Sequence, residues 1–161
     1  MDLHNDTPST RLEPSPLARA EDLLRHAAAG NRLDRLGAIA QEHLASGGKR
    51  IRARLALHAC QALGVPTESA IVWAAACEAL HNASLIHDDL QDGDTVRRGT
   101  TTTWARHGVA QAINAGDLLL MLPFVLVGQT PAPAEHRAAL SAAVASYAVA
   151  TVRGQEVELR R

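Results

Sequence analysis

The chain has 161 residues, 47% of them apolar and 20% charged, the composition of a packed globular protein and not of a disordered or collagen-like one. Aromatic residues make up only 2%, and the apolar bulk is Ala and Leu, which argues against an all-β fold and for helices. Sixteen basic residues against seventeen acidic ones leave a net charge of −1, so no global field draws the chain to nucleic acid or to an anionic membrane, and any anion site must be local.

Length sets one domain, or part of one. Met1 to Pro16 carries three prolines among polar residues and reads as a mobile tail; residues 17–161 form the structured part. Leu17 to Ala29 is a helix stopped by Gly30, and Arg32 to Ser46 is a second one stopped by Gly47-Gly48. Arg50 to Leu63 is a third, closed by Gly64-Val-Pro66, after which Thr67 or Ser69 can cap a long apolar helix reaching about Gln91. Gly93 to Thr103, with its charges, glycines and four consecutive threonines, predicts a loop. Trp104 to Val127 is a fifth helix, Gly128 to Pro133 a turn, and Ala134 to about Arg161 a sixth helix without a stop signal.

Cys60 and Cys77 form neither a CxxC pair nor a disulfide framework, which suits a reducing cytoplasm. The opening MDLHNDTPST has no export signal, and the longest apolar run, Leu118 to Val127, is interrupted by Pro123, so no membrane span is expected.

Three clusters carry chemistry. Glu78, His81, Leu85, Asp88 and Asp92 recur at spacings of three and four and share one helix face. Burying unpaired carboxylates is costly, so Asp88, Asp89 and Asp92 need cations or water. Asp88 and Asp92, one turn apart, can share a Mg²⁺ that bridges to substrate phosphates, or they can form a solvated acidic helix end. Gly47-Gly48-Lys49-Arg50-Ile51-Arg52 sets flexible backbone and three cations at a helix start, which suits phosphate binding or a plain helix stop with a basic turn. It lacks the spacing of a P-loop. Arg97-Arg98-Gly99 follows the aspartates closely and suits phosphate capture or a salt-bridge network equally.

Taken together and in this order, these blocks resemble the trans-isoprenyl (polyprenyl) diphosphate synthases. Ala115-Gly116-Asp117 and Gly154-Gln155 are similar to later blocks of the same family. The resemblance implies an all-α bundle of packed helices around a central cavity. It implies that Asp88 and Asp92 bind Mg²⁺ to an allylic diphosphate with support from Asp89. It further implies that Lys49, Arg52, His81 and Arg98 hold isopentenyl diphosphate, that Arg97 contacts the allylic diphosphate, and that Gln155 lies near the reacting centre. Ala83 and Ser84 stand where bulky side chains in the family block the product tunnel.

The chain departs from the family pattern at three points. Ala53 replaces a proline, Trp104 stands about where a histidine helps bind isopentenyl diphosphate, and only 69 residues follow Asp92, too few for the family's second aspartate-rich motif. The resemblance therefore covers the N-terminal half of a synthase, holding one wall of the cavity. Such a wall leaves apolar faces open on Ile71 to Ile86 and Leu118 to Val127, so a homo- or hetero-oligomeric partner that completes the cavity is expected. Two functions follow: a catalytic component that needs a second half and does not condense substrates alone, or a non-catalytic subunit that regulates a full-length synthase.

Overall fold

The computed structural model describes residues 13–30 and 35–160. Most of the expected tail, and Arg32 at the expected start of the second helix, lie outside the described residues. Among them are seven helices and one short hairpin, where six helices were expected. Helix α1 spans Pro16–Ala29. Its first residue is the last of the expected tail: Pro suits the first helical position, and the Ser15 side chain accepts the Ala18 N–H at 3.2 Å. Helix α2 spans Arg35–Ala45 and helix α3 spans Ile51–Ala62. The end of α3 is a Schellman motif, in which the Val65 N–H donates to Cys60 O (2.9 Å), the Gly64 N–H donates to Gln61 O (3.1 Å) and Gly64 has φ +68°.

Helix α4, Thr67–Gln91, is the spine of the molecule. Pro66, not Thr67 or Ser69, occupies its N-cap position. The segment expected to be a loop contains a hairpin, with β1 (Val96–Arg97) antiparallel to β2 (Thr100–Thr101). Its two central residues, Arg98 (φ +54°) and Gly99 (φ +77°), both adopt the positive φ that a two-residue type I′ connection requires. The expected fifth helix is two: α5 (Thr103–His107) and α6 (Val109–Gly128), divided at Gly108, whose φ is +87°. Helix α7 spans Ala134–Leu159.

The core is the seam between α4 and α6. Ala75, Ala79, Ala83 and Ile86 of α4 and Ala112, Ala115, Leu119, Leu122 and Leu126 of α6 are buried together. Small residues on one helix admit larger ones on the other, which brings the axes close. Helices α1 and α3 pack on α4 as well, and α2 packs on α1 and α6. Helix α6 is long and apolar enough to cross a membrane by length and composition, but here it is the inner partner of α4.

This packing covers one side of each of the two helices expected to carry open apolar faces. Ile71, Ile86, Leu119, Leu122 and Val127 are buried, because α4 and α6 cover each other. Met121 and Val125 of α6 stay exposed, and further open apolar surface lies on α3 and α7: Leu55, Tyr147, Val152 and Leu159 are exposed, and Val144 is the buried residue of α7. Leu119→Ala removes a fully buried side chain from the α4/α6 seam and is expected to cost about 2–5 kcal/mol, read as a lower urea midpoint with the far-UV spectrum of the folded state retained.

Candidate diphosphate and metal site

The site is built from the polar stripe of α4 outward. Glu78 is buried at the deep end, His81 and Asp88 are half-buried, and Asp92 is exposed at the C-cap. Glu78 serves the start of α3: its carboxylate accepts the Ala53 N–H at 3.4 Å, and the Arg50 guanidinium lies 3.8 Å from it. One orphan N–H of a helix start is thus satisfied by another helix.

Lys49, Arg52, His81 and Arg98, the four residues assigned to isopentenyl diphosphate, line one basin of about 490 Å³ together with Gly48, Arg50, Ile51 and Glu78. The hairpin is pinned over it. Arg98 Nη1 donates to Gly47 O at 2.5 Å, and the Thr102 hydroxyl and the Trp104 indole N–H both donate to Asp94 O at 2.7 Å. Trp104 therefore fastens the hairpin and is not among the residues lining the basin. Burial first, and then the guanidinium of Arg52 and those of Arg98, Arg97 and Arg50, push the His81 pKa down to about 4, so the ring is neutral at pH 7 and can donate a hydrogen bond without adding charge.

A second cavity, of about 560 Å³, opens from the same wall and shares Arg52 and His81 with the basin. Between them, α3, α4 and α7 supply an apolar lining that includes Leu55, Trp73, Leu80, Ala83, Tyr147 and Val152. Ser84 also lines it, and Ala83 is one of several alanines that do so. Cys77 lies there too; burial pushes its thiol up to about 11, so it stays protonated. Both cysteines are free thiols.

At the other end of the stripe the three aspartates separate. The Asp89 carboxylate is 1% exposed and is taken by the Arg97 guanidinium, which also lies 3.9 Å from Asp94. Among the described residues no three His, Cys, Asp or Glu side chains gather into a ready cation cage. Asp88 and Asp92 remain as a pair one turn apart, with the Asp92 N–H donating to Asp88 O at 2.8 Å. Burial, and then the Asp92 charge, raise the Asp88 pKa, and Arg97 opposes the rise. Both acids sit at the negative end of the α4 dipole, whose last turn holds no basic residue. That donor set fits a hard divalent ion which takes one or two carboxylates, keeps water and bridges to phosphate. Gln155 of α7 donates to the Gln91 side chain at 3.2 Å, which places it beside the aspartate end of α4.

Two features were not foreseen. The His87 ring lies against Gly116, where a Cβ would overlap it, and its Nε2 is 3.6 Å from Asp117 Oδ1; this explains why glycine stands in Ala115-Gly116-Asp117. Gly116→Ala is expected to cost about 1–3 kcal/mol by overpacking, measured by urea denaturation, and to be relieved by His87→Ala. His43, of α2, lines a small polar pocket beneath the hairpin with Thr103, and its Nε2 has no hydrogen-bond partner. Burial first, with help from Arg98, pushes its pKa down to about 4. The folded state therefore refuses a proton that the unfolded state takes near 6.5, so stability falls as pH drops from 6.5 to 4. His43→Gln should reduce the slope of that part of the urea midpoint-versus-pH curve, the remainder coming from His81.

The polyprenyl synthetase family model matches residues 34–161. A geranylgeranyl pyrophosphate synthase of Geoglobus acetivorans is 36% identical over 120 residues, which are 74% of this chain and 38% of that protein. A (2E,6E)-farnesyl diphosphate synthase of Mycobacterium bovis is 39% identical over 111 residues, 69% of this chain and 30% of its own. Among solved structures, the geranylgeranyl pyrophosphate synthetase of Pyrococcus horikoshii superposes with a TM-score of 0.82 at 31% identity, covering 89% of this chain and 44% of that one. The chain thus spans less than half the length of these relatives. With the helical fold and the ordered site blocks on one wall, the match over residues 34–161 establishes that the chain belongs to the polyprenyl synthetase family.

Proposed function

We propose that the chain is a prenyltransferase component that condenses an allylic diphosphate with isopentenyl diphosphate to lengthen an isoprenoid chain. One observation carries this reading: a four-cation basin adjoins an apolar cavity through two shared residues, Arg52 and His81. An isoprenyl diphosphate has that same division into a charged head and an oily tail. The names of the relatives, geranylgeranyl and farnesyl diphosphate synthases, agree with it.

In this reading Lys49, Arg52 and Arg98 bind the diphosphate of isopentenyl diphosphate, and the neutral His81 donates to it. Arg97, held in place by Asp89, contacts the allylic diphosphate. Asp88 and Asp92 would hold Mg²⁺, which neutralises the departing diphosphate when bound; Asp89 acts through Arg97 more than through the ion. Ala83 and Ser84 leave the apolar cavity open to a growing chain, and Gln155 stands near the reacting carbons. The carbon–carbon bond forms as diphosphate leaves the allylic carbon and a proton is lost from the isopentenyl unit.

Residues 17–161 are read as the N-terminal half of the synthase domain. The open apolar residues of α7, among them Tyr147, Val152 and Leu159, and relatives of which this chain covers only 38% and 30% both support a partner or second half that closes the cavity. The test has two parts. Calorimetry should show inorganic pyrophosphate binding to the basin, weakened at least tenfold, about 1.4 kcal/mol, by Lys49→Ala, and a further Mg²⁺-dependent binding that Asp88→Ala removes. No measurable condensation is expected from this chain alone; mixed with the C-terminal half of a relative, it should turn over both substrates, and Asp88→Ala should not. Modulation of a full-length synthase that survives Asp88→Ala would favour the regulatory reading instead.

A further inference from the structure

Among the described residues only two that are not glycine have positive φ, Arg50 (+50°) and Arg98 (+54°). Backbone held in that region costs energy and persists only where surroundings impose it. The guanidiniums of these two residues meet at one atom. The Gly47 carbonyl accepts from Arg50 Nη1 at 3.0 Å and from Arg98 Nη1 at 2.5 Å. Gly48, at φ +135°, makes the approach possible, because a Cβ there would overlap the Arg98 guanidinium.

Arg50 is otherwise committed. Its Nε donates to Glu21 at 2.7 Å, its Nη2 donates to Leu44 O at 2.6 Å, its ion pair with Glu78 is 3.8 Å long, and its side chain is 13% exposed. Arg98 is exposed, and its one recorded bond is to Gly47 O. Two like charges at one carbonyl repel, and Glu21 and Glu78 offset the Arg50 charge so that both can stay. The basin is then left with Lys49, Arg52 and Arg98 as its uncompensated cations.

We propose that Arg50 is a positioning residue: it holds the Gly47 carbonyl as a rest for the Arg98 guanidinium, and so sets Arg98 into the diphosphate basin without binding diphosphate itself. The inference rests on reading that basin as a diphosphate site. Arg50 ties the glycine turn to α1 through Glu21, to the end of α2 through Leu44 O and to α4 through Glu78, so the carbonyl cannot swing. Lysine at position 50 keeps the charge and loses the fork that grips these partners at once.

The experiment is a double-mutant cycle on inorganic pyrophosphate binding, read by calorimetry on the full chain. Arg98→Lys and Arg50→Lys should each weaken binding about five- to tenfold, and the double variant should be no more than twofold weaker than Arg98→Lys alone. If Arg50→Lys does not fold, Glu21→Gln loosens the same guanidinium from outside the basin; it should weaken binding two- to threefold with Arg98 present and leave it unchanged in the Arg98→Lys background. Losses that multiply in these cycles overturn the proposal and leave the basin reading intact. Absence of pyrophosphate binding by the wild-type chain overturns both.

Discussion

Helix α4 is asked to do two things that oppose each other. Its alanines and Ile86 gain by leaving water, whereas Glu78, Asp88 and Asp89 lose solvation if they go with them. The polar contacts along α4 answer that conflict. Glu78 is compensated by Arg50 and the Ala53 N–H, Asp89 by Arg97, and Asp88 is kept half-buried beside Asp92 at the open end. The cations that repay α4 belong to two other segments, the glycine turn before α3 and the hairpin after α4. Those two segments are consequently drawn together over the middle of the helix, and the basin is the space left between them.

The division of labour among the charges follows. All three cations of the Gly47 to Arg52 run line the basin, but the one in the middle is committed to Glu21 and Leu44 O. Arginine pairs repeat the pattern, with Arg97 taken by Asp89 and Arg98 left exposed. In both clusters a cation paired with a carboxylate stands beside one that has no carboxylate partner among the described residues.

Much of this was legible in the sequence. Gly30, Gly47-Gly48 and Gly64-Val-Pro66 mark helix ends whose chemistry is local, and the three- and four-residue spacing from Glu78 to Asp92 places that stripe on one face without any tertiary information. The convergence of Lys49, Arg52, His81 and Arg98 was legible only through the family resemblance, since nothing local says that positions 49 and 98 meet. The hairpin was missed because its turn uses Arg98 where Asn would be the familiar signal, and the break at Gly108 because apolar periodicity continues across it. Arg50 was one of three cations at a helix start that suits phosphate binding or a plain basic turn. Its side chain is held by Glu21 and Glu78, distant in sequence, as well as by Leu44 O and Gly47 O, and residue type alone does not announce that. The open surface on α3 and α7 was not foreseen, because composition shows how apolar a helix is, not which neighbour covers it.

The α4/α6 seam also has a consequence for the order of events during synthesis. A chain that emerges from the N-terminus presents the basin cations, the stripe and the hairpin by residue 101, before α6 exists to cover the alanine face of α4. Until Leu126 has been made, that face stays wet and the site residues have no fixed relation to one another. The nascent chain thus exposes an apolar face while the basin, stripe and hairpin residues are already made, and that uncovered face is the kind of surface on which chaperones act.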